Sequence, residues 1–287
     1  MKQLFVRVFF FLFVLGLIGG IYGFFSAPPL PNPFDEMNEL LAEYPDVAII
    51  VTRFGNRIYT QGETSHAVPL GKAAEPFVAA LAYKLLPPDA WTDSIGTLWS
   101  DAPEEVRQAP LWSLPQHAAG FLNSDNGPLN RYDPQHPIWL ASIVSNQQRE
   151  GLCQLFEQHI AKPLSFEHTR CDQTWTSSAE DLTLWLGSFQ SNQVMPMRPM
   201  LDMLTTKSLK EGHRSDFAGF WEIRNMGGLR CERIISDHVA LVRFPEKTWT
   251  AVVTCEEAEE LDRLVDEVVQ IYLRREMRGG SSSRGKT

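Results

Sequence analysis

Four cysteines, no excess of positive charge and no internal repeat set the first limits on this 287-residue chain. The cysteines, Cys153, Cys171, Cys231 and Cys255, form no Cys-x-x-Cys pair, and none of the seven histidines stands at ligand spacing from another His or Cys. A zinc site is therefore not expected. No phosphate-binding glycine loop and no Gly-x-Ser-x-Gly elbow occurs, so neither a nucleotide nor any other cofactor is expected. The net charge of −9 argues against a nucleic-acid partner, which would need a basic face. Low complexity is confined to RGGSSSRGKT at the C-terminus, so residues 278–287 read as a disordered tail.

An even number of cysteines permits disulfides in an oxidising compartment, and three pairings are open. Cys153 and Cys171 are expected to lie close enough to bridge. A helix starting near Gly151 runs toward Pro163, and the chain from Leu164 can double back along it. Buried free thiols are the alternative for all four.

Hydrophobic residues make up 44% of the chain, ample for one domain with a substantial core. Lys2 and Arg7 precede an uncharged run, Val8 to Phe25, and Asp35 and Glu36 follow it. Eighteen residues just suffice to span a bilayer. Phe24 and Phe25 stand where a cleaved signal wants small residues. Residues 1–27 therefore read as a membrane anchor through residues 8–25 that leaves the domain outside the cytoplasm. A removed signal peptide is the alternative, which would make the protein secreted.

Residues 28–277 read as one α+β domain. PFDEMNELLAEYP is a short amphipathic helix, and DVAIIVTRFGNRIYTQGE a hairpin. A helical middle follows from Glu75. Phe217 to Ile235 is one strand, or two with a break at Gly227-Gly228. HVALVRF-PEK-TWTAVVTC is a second hairpin, and Glu256 to Met277 a long closing helix with an apolar stripe. Neither hairpin could stand alone, so the expected sheet lobe is 34–66 with 217–277, antiparallel and covered by the terminal helices. Residues 67–216 form a helical lobe, with a ligand cleft where lobe meets sheet.

Six stretches in order resemble the serine β-lactamase and penicillin-binding-protein superfamily, especially its class C-like serine hydrolase branch. They are DVAIIVTRFGNRIYTQG, VPLGKAAEPFVAALAYKLL, APLWSLPQHAAGF, RYDPQHPIWLASIVS, FEQHIAKPLSFEHTRCD and TSSAEDLTLWLGSF. The resemblance runs from about Asp46 to Tyr272. It implies a β-lactamase/transpeptidase-like fold and places the family's nucleophilic serine at Lys72 and its lysine base at Glu75. Acylation needs a hydroxyl at the helix N-terminus and an amine one turn later, and this chain supplies neither. Tyr132 falls on the family's Tyr, but Asp133-Pro134 follow it. The family's third motif, a cation-x-Gly on the cleft strand, maps to Asn225-Met226-Gly227-Gly228, with the glycines kept and the cation lost. His117 is implied to be structural, beneath the cleft.

Lys72 and Glu75 also read as an ordinary solvated pair at a helix start. Tyr132 reads equally as a packed, hydrogen-bonded side chain. Ser236-Asp237-His238 cannot converge as a triad on three consecutive residues and reads as a turn. The tryptophans, among them Trp112, Trp139, Trp185, Trp221 and Trp249, read as core. The expectation is a pseudoenzyme whose remnant site at Lys72, Glu75, Tyr132, Asn225 and Gly227 holds a small ligand or peptide. The alternatives are a hydrolase with an unrecognised nucleophile and a scaffold in an envelope complex.

Overall fold

In a computed structural model, the structure describes residues 32–120, 131–209, 213–256 and 260–279. The anchor segment and nearly all of the tail lie outside them. Among the described residues no helix is long and apolar enough to cross a membrane.

Seven strands form one antiparallel sheet. Strand β1 (Val47–Arg53) pairs with β2 (Asn56–Gln61) on one side and β9 (Trp249–Cys255) on the other. The sheet continues through β8 (Val239–Phe244), β7 (Leu229–Ile235), β6 (Trp221–Met226) and the two-residue β5 (Phe217–Ala218). A separate pair, β3 (Ala67–Pro69) and β4 (Thr176–Ser178), closes the helical lobe.

The near-continuous apolar runs of β1, β8 and β9 follow from burial on both faces. Ile49, Val51, Ala240, Val242, Ala251 and Val253 pack on the terminal helices, α1 (Pro33–Leu41) and α6 (Leu261–Gly279). The alternate residues Ile50, Ile234, Leu241 and Val252 face the helical lobe. That lobe is centred on α2 (Glu75–Leu85), flanked by α3 (Gln135–Gln148), α4 (Ala179–Ser191) and α5 (Met197–Met203). Helix α2 is buried from Glu75 to Tyr83. An all-round apolar sequence such as EPFVAALAYKLL is stable only there. Phe77 is its hub, with ring centroids 5.2 Å from Phe156 and 4.7 Å from Trp185.

The expected antiparallel sheet, flanked by the terminal helices and packed on helices of the middle segment, is present. The segment Phe217 to Ile235 divides into three strands. One break is the expected Gly227-Gly228, with φ of 60° and 82°, and the other is Gly219-Phe220, with φ of 58° and 67°. A two-residue hairpin turn with both φ positive suits glycine. The closing helix starts at Leu261, five residues later than the acidic run suggests, and extends to Gly279. Trp185, Trp221 and Trp249 are buried as expected, while Trp112 and Trp139 are half-buried. Cys153 and Cys171 form a disulfide with Cα atoms 5.3 Å apart, and Cys231 and Cys255 are buried thiols.

Candidate site at the mouth of helix α2

Leu70 ends the extended entry, and a short 3₁₀ turn, Gly71–Ala74, leads into α2. Gly71 takes φ of 50°, and a Cβ there would lie 3.4 Å from Cβ of Ser236. The helix mouth is thereby pressed against the turn after β7. A cavity of about 300 Å³ opens at this junction. Lys72, Glu75 and Tyr132 line it from the lobe, with Phe217, Phe220 and Ile234 from the sheet side.

The Tyr132 hydroxyl donates to Glu75 Oε1 at 2.7 Å. Lys72 Nζ stands 5.6 Å from the Tyr132 ring centroid, at the exposed side of the cluster. Glu75 Oε2 is buried without a hydrogen-bond partner among the described atoms and lies 3.8 Å from His117 Nε2. His117 is fully buried, and its Nδ1 accepts the Asp133 N–H at 3.2 Å. Its proton is therefore on Nε2, facing Glu75. Burial pushes His117 down to about 3. The same burial raises Glu75 to about 7, against the pull of the Tyr132 hydrogen bond and the Lys72 charge. Glu75 is thus the group of this cluster that titrates near neutrality. Burial, reinforced by Glu75, raises Tyr132, which stays a phenol and a donor.

Asp133-Pro134, which follow Tyr132, lead into α3. Pro134 is its N-cap residue, and Asp133 Oδ1 accepts the Gln135 N–H at 2.9 Å. The sheet side carries charges that are already paired. Arg233, nearly buried, bonds Glu222 at 2.9 Å and approaches Asp262 and Asp266 at 3.3 and 3.2 Å. Arg224 bonds Glu222 at 2.7 Å.

The structure therefore brings Lys72, Glu75 and Tyr132 together, with His117 beneath them. It does not bring Asn225 and Gly227 there. Both are exposed at the β6–β7 turn, where Asn225 Oδ1 accepts the Gly228 N–H at 3.0 Å. The cleft instead receives the far end of β7, Ile234 and Ile235, followed by Ser236. A signal for this was present. The strand hairpinned to HVALVRF is RCERII, and its end next to that turn reaches the helix mouth, one hairpin later than the glycine pair. Ser236, Asp237 and His238 form the β7–β8 turn, as expected, and the Ser236 hydroxyl donates to the Val239 carbonyl at 3.2 Å. Among the described residues no group of three or more His, Cys, Asp or Glu is placed to hold a metal.

Replacing Tyr132 by Phe removes the donor that stabilises ionised Glu75. The Glu75 pKa should rise further, seen as an upward shift of its side-chain carboxyl ¹³C titration. An unchanged midpoint would mean that the hydrogen bond is not formed in solution.

No family model and no curated protein matches the sequence. Solved structures do match in fold. A β-lactamase from Mycobacterium bovis is 18% identical, with a TM-score of 0.64 over 82% of this chain and 99% of its own. A putative β-lactamase from Bacteroides dorei is 13% identical, with a TM-score of 0.65 over 84% and 98%. The D-amino acid amidase of Ochrobactrum anthropi, complexed with L-phenylalanine amide, is 12% identical, with a TM-score of 0.63 over 85% and 98%. The chain has the fold of the β-lactamase and penicillin-binding-protein-like serine hydrolases.

Proposed function

We propose that this chain is a membrane-anchored, extracytoplasmic protein that has the hydrolase fold without its acylation machinery and holds a small ligand or peptide in the cleft at Lys72, Glu75 and Tyr132. The observation that carries this reading is Glu75, a buried carboxyl bonded to Tyr132 at 2.7 Å where the resemblance expects the lysine base. Lys72 offers no hydroxyl at the nucleophile's position, so Glu75, although near half-ionisation at neutral pH, has no serine there to deprotonate. The space is open, and mixed polar and apolar lining suits a small amphipathic ligand. Fold neighbours are described with an amino-acid amide, phenylalanine and D-Leu, which favours a ligand of amino-acid size. The Cys153–Cys171 bridge favours an oxidising compartment, in keeping with the uncharged run Val8 to Phe25.

A second reading, hydrolysis, has one observation in its favour. The Ser236 hydroxyl lies in the turn facing the helix mouth, 3.8 Å from where a Cβ on Gly71 would stand. Labelling decides between them. The full chain incubated with a fluorescent penicillin or a fluorophosphonate is expected to take up no heat-stable label. Stoichiometric label on Ser236 or any other serine would establish the hydrolase.

A further inference from the structure

One end of the domain carries features that the cleft does not use. A second cavity, about 260 Å³ and mostly apolar, lies between the start of α1, the end of α6 and the β1–β2 and β8–β9 connections. Phe34, Ile58, Phe244, Trp249, Tyr272 and Leu273 line it, joined by the cationic side chains of Arg53 and Lys247. Phe34 is 47% exposed, and Phe54, at the tip of the adjoining turn, is 66% exposed. The Phe54 N–H donates to the Thr248 carbonyl at 2.9 Å, so the two connections are tied side by side. Arg274 bonds Glu36 at 2.7 Å and joins the end of α6 to the start of α1. Exposed aromatics beside an apolar cavity with a cationic edge mark an interaction surface more often than chance exposure.

Pro33, the first residue of α1, and Leu273, in α6, both line this cavity, and the sequences that flank these residues say what it meets. The uncharged run Val8 to Phe25 ends eight residues before Pro33, a reach of about 29 Å at most. Residues 274–287 carry five Lys or Arg and one Glu, in a chain whose net charge is −9. This basic segment follows Leu273 directly in sequence, and Arg53 and Lys247 add positive charge at the edge of the cavity itself. We propose that this end is a lipid-facing surface. Phe34 and Phe54 enter the interface of an anionic phospholipid membrane, Arg53 and Lys247 at the cavity edge meet its headgroups, and the cavity against Trp249 admits the end of an acyl chain. The inference rests on the membrane-anchor part of the proposed function, and is independent of what the cleft binds. Aromatic side chains favour the membrane interface, and basic residues near an anionic surface add attraction that falls off within a Debye length.

The test uses the full chain reconstituted in vesicles of phosphatidylcholine with phosphatidylglycerol. A Phe54→Cys variant takes an environment-sensitive fluorophore selectively, because Cys231 and Cys255 are buried and the other two cysteines are bridged. A doxyl group on the lipid acyl chain should quench this label and leave one at Ile138→Cys, exposed on α3, unquenched. The quenched fraction should fall about fivefold or more in phosphatidylcholine alone, the factor contributed by each basic side chain near an anionic surface. In the unlabelled chain, brominated acyl chains should quench the emission component that Trp249→Phe removes. Equal quenching at positions 54 and 138, or equal quenching with and without phosphatidylglycerol, overturns the surface. An unquenched Trp249 overturns acyl entry and leaves the cavity to another occupant, such as residues 24–31 or a second copy of the chain. A chain that does not float with vesicles of either kind overturns the anchor and this surface together.

Discussion

Replacing Glu75 by Gln is expected to stabilise the protein by about 3 kcal/mol above about pH 8 and to change little at about pH 4. Burial raises this carboxyl from 4.5 to about 7, so the folded state holds the proton more tightly than the unfolded chain does. The stability this lends is fully present below the unfolded value of 4.5 and is lost as the pH rises through 7. Above that, the folded protein bears the cost of a carboxylate taken out of water, which the Tyr132 bond and the Lys72 charge offset only in part. Glutamine has the same shape, keeps an acceptor for Tyr132 and does not ionise. Urea unfolding of the two proteins across this range checks the sign. Parallel stability curves would mean that Glu75 is hydrated in solution and that the floor of the cleft is open to water. The same titration bears on function, because the charge presented to any ligand changes near neutrality. Affinity for a charged ligand in the cleft should therefore depend on pH between about 6 and 8, and Glu75→Gln should abolish that dependence.

Much of this was legible in the sequence, and the reasons differ by element. The strands VAIIV, HVALVRF and TWTAVVTC declare themselves because central strands buried on both faces need β-branched and apolar residues with few interruptions. Helix α2 declares itself through a run that could only be buried. Lys72, Glu75 and Tyr132 could be brought together because the helix mouth must lie where the lobe meets the sheet, and because a fixed apolar run leaves the register of Lys72 no freedom. The cleft strand was less legible. A glycine pair signals close approach of backbones, but it equally signals a tight turn, and at Gly227-Gly228 the turn is what the structure has. His117 was legible as a structural residue, yet not as the neighbour of Glu75. That contact joins residues far apart in sequence and has no local signature. The ion pairs of Arg233 with Glu222, Asp262 and Asp266 were missed for the same reason. They depend on which turn of α6 passes over β7, a matter of packing angle and not of pattern.

Removing the Cys153–Cys171 bridge should cost about 3 kcal/mol, because it closes a loop of moderate length. The two cysteines are 18 residues apart, and the chain between them carries Phe156 and Phe166, with Trp175 just beyond. These rings lie 5.2, 6.3 and 5.9 Å from Phe77, on the helix whose mouth forms the candidate site. The bridge thus restrains the unfolded chain and also fastens the layer that supports α2. A Cys153→Ala/Cys171→Ala variant should unfold at lower urea than the oxidised protein, and a reductant should lower the oxidised protein toward it while leaving the variant unmoved. The remaining thiols make the redox state easy to read. Burial pushes Cys231 up to about 12 and Cys255 up to about 11, and both are buried, so neither is a ready thiolate. Native oxidised protein should take up no iodoacetamide, and native reduced protein two equivalents, at Cys153 and Cys171. Two equivalents before any reductant is added would show that the bridge does not form and would remove the strongest structural support for an oxidising compartment.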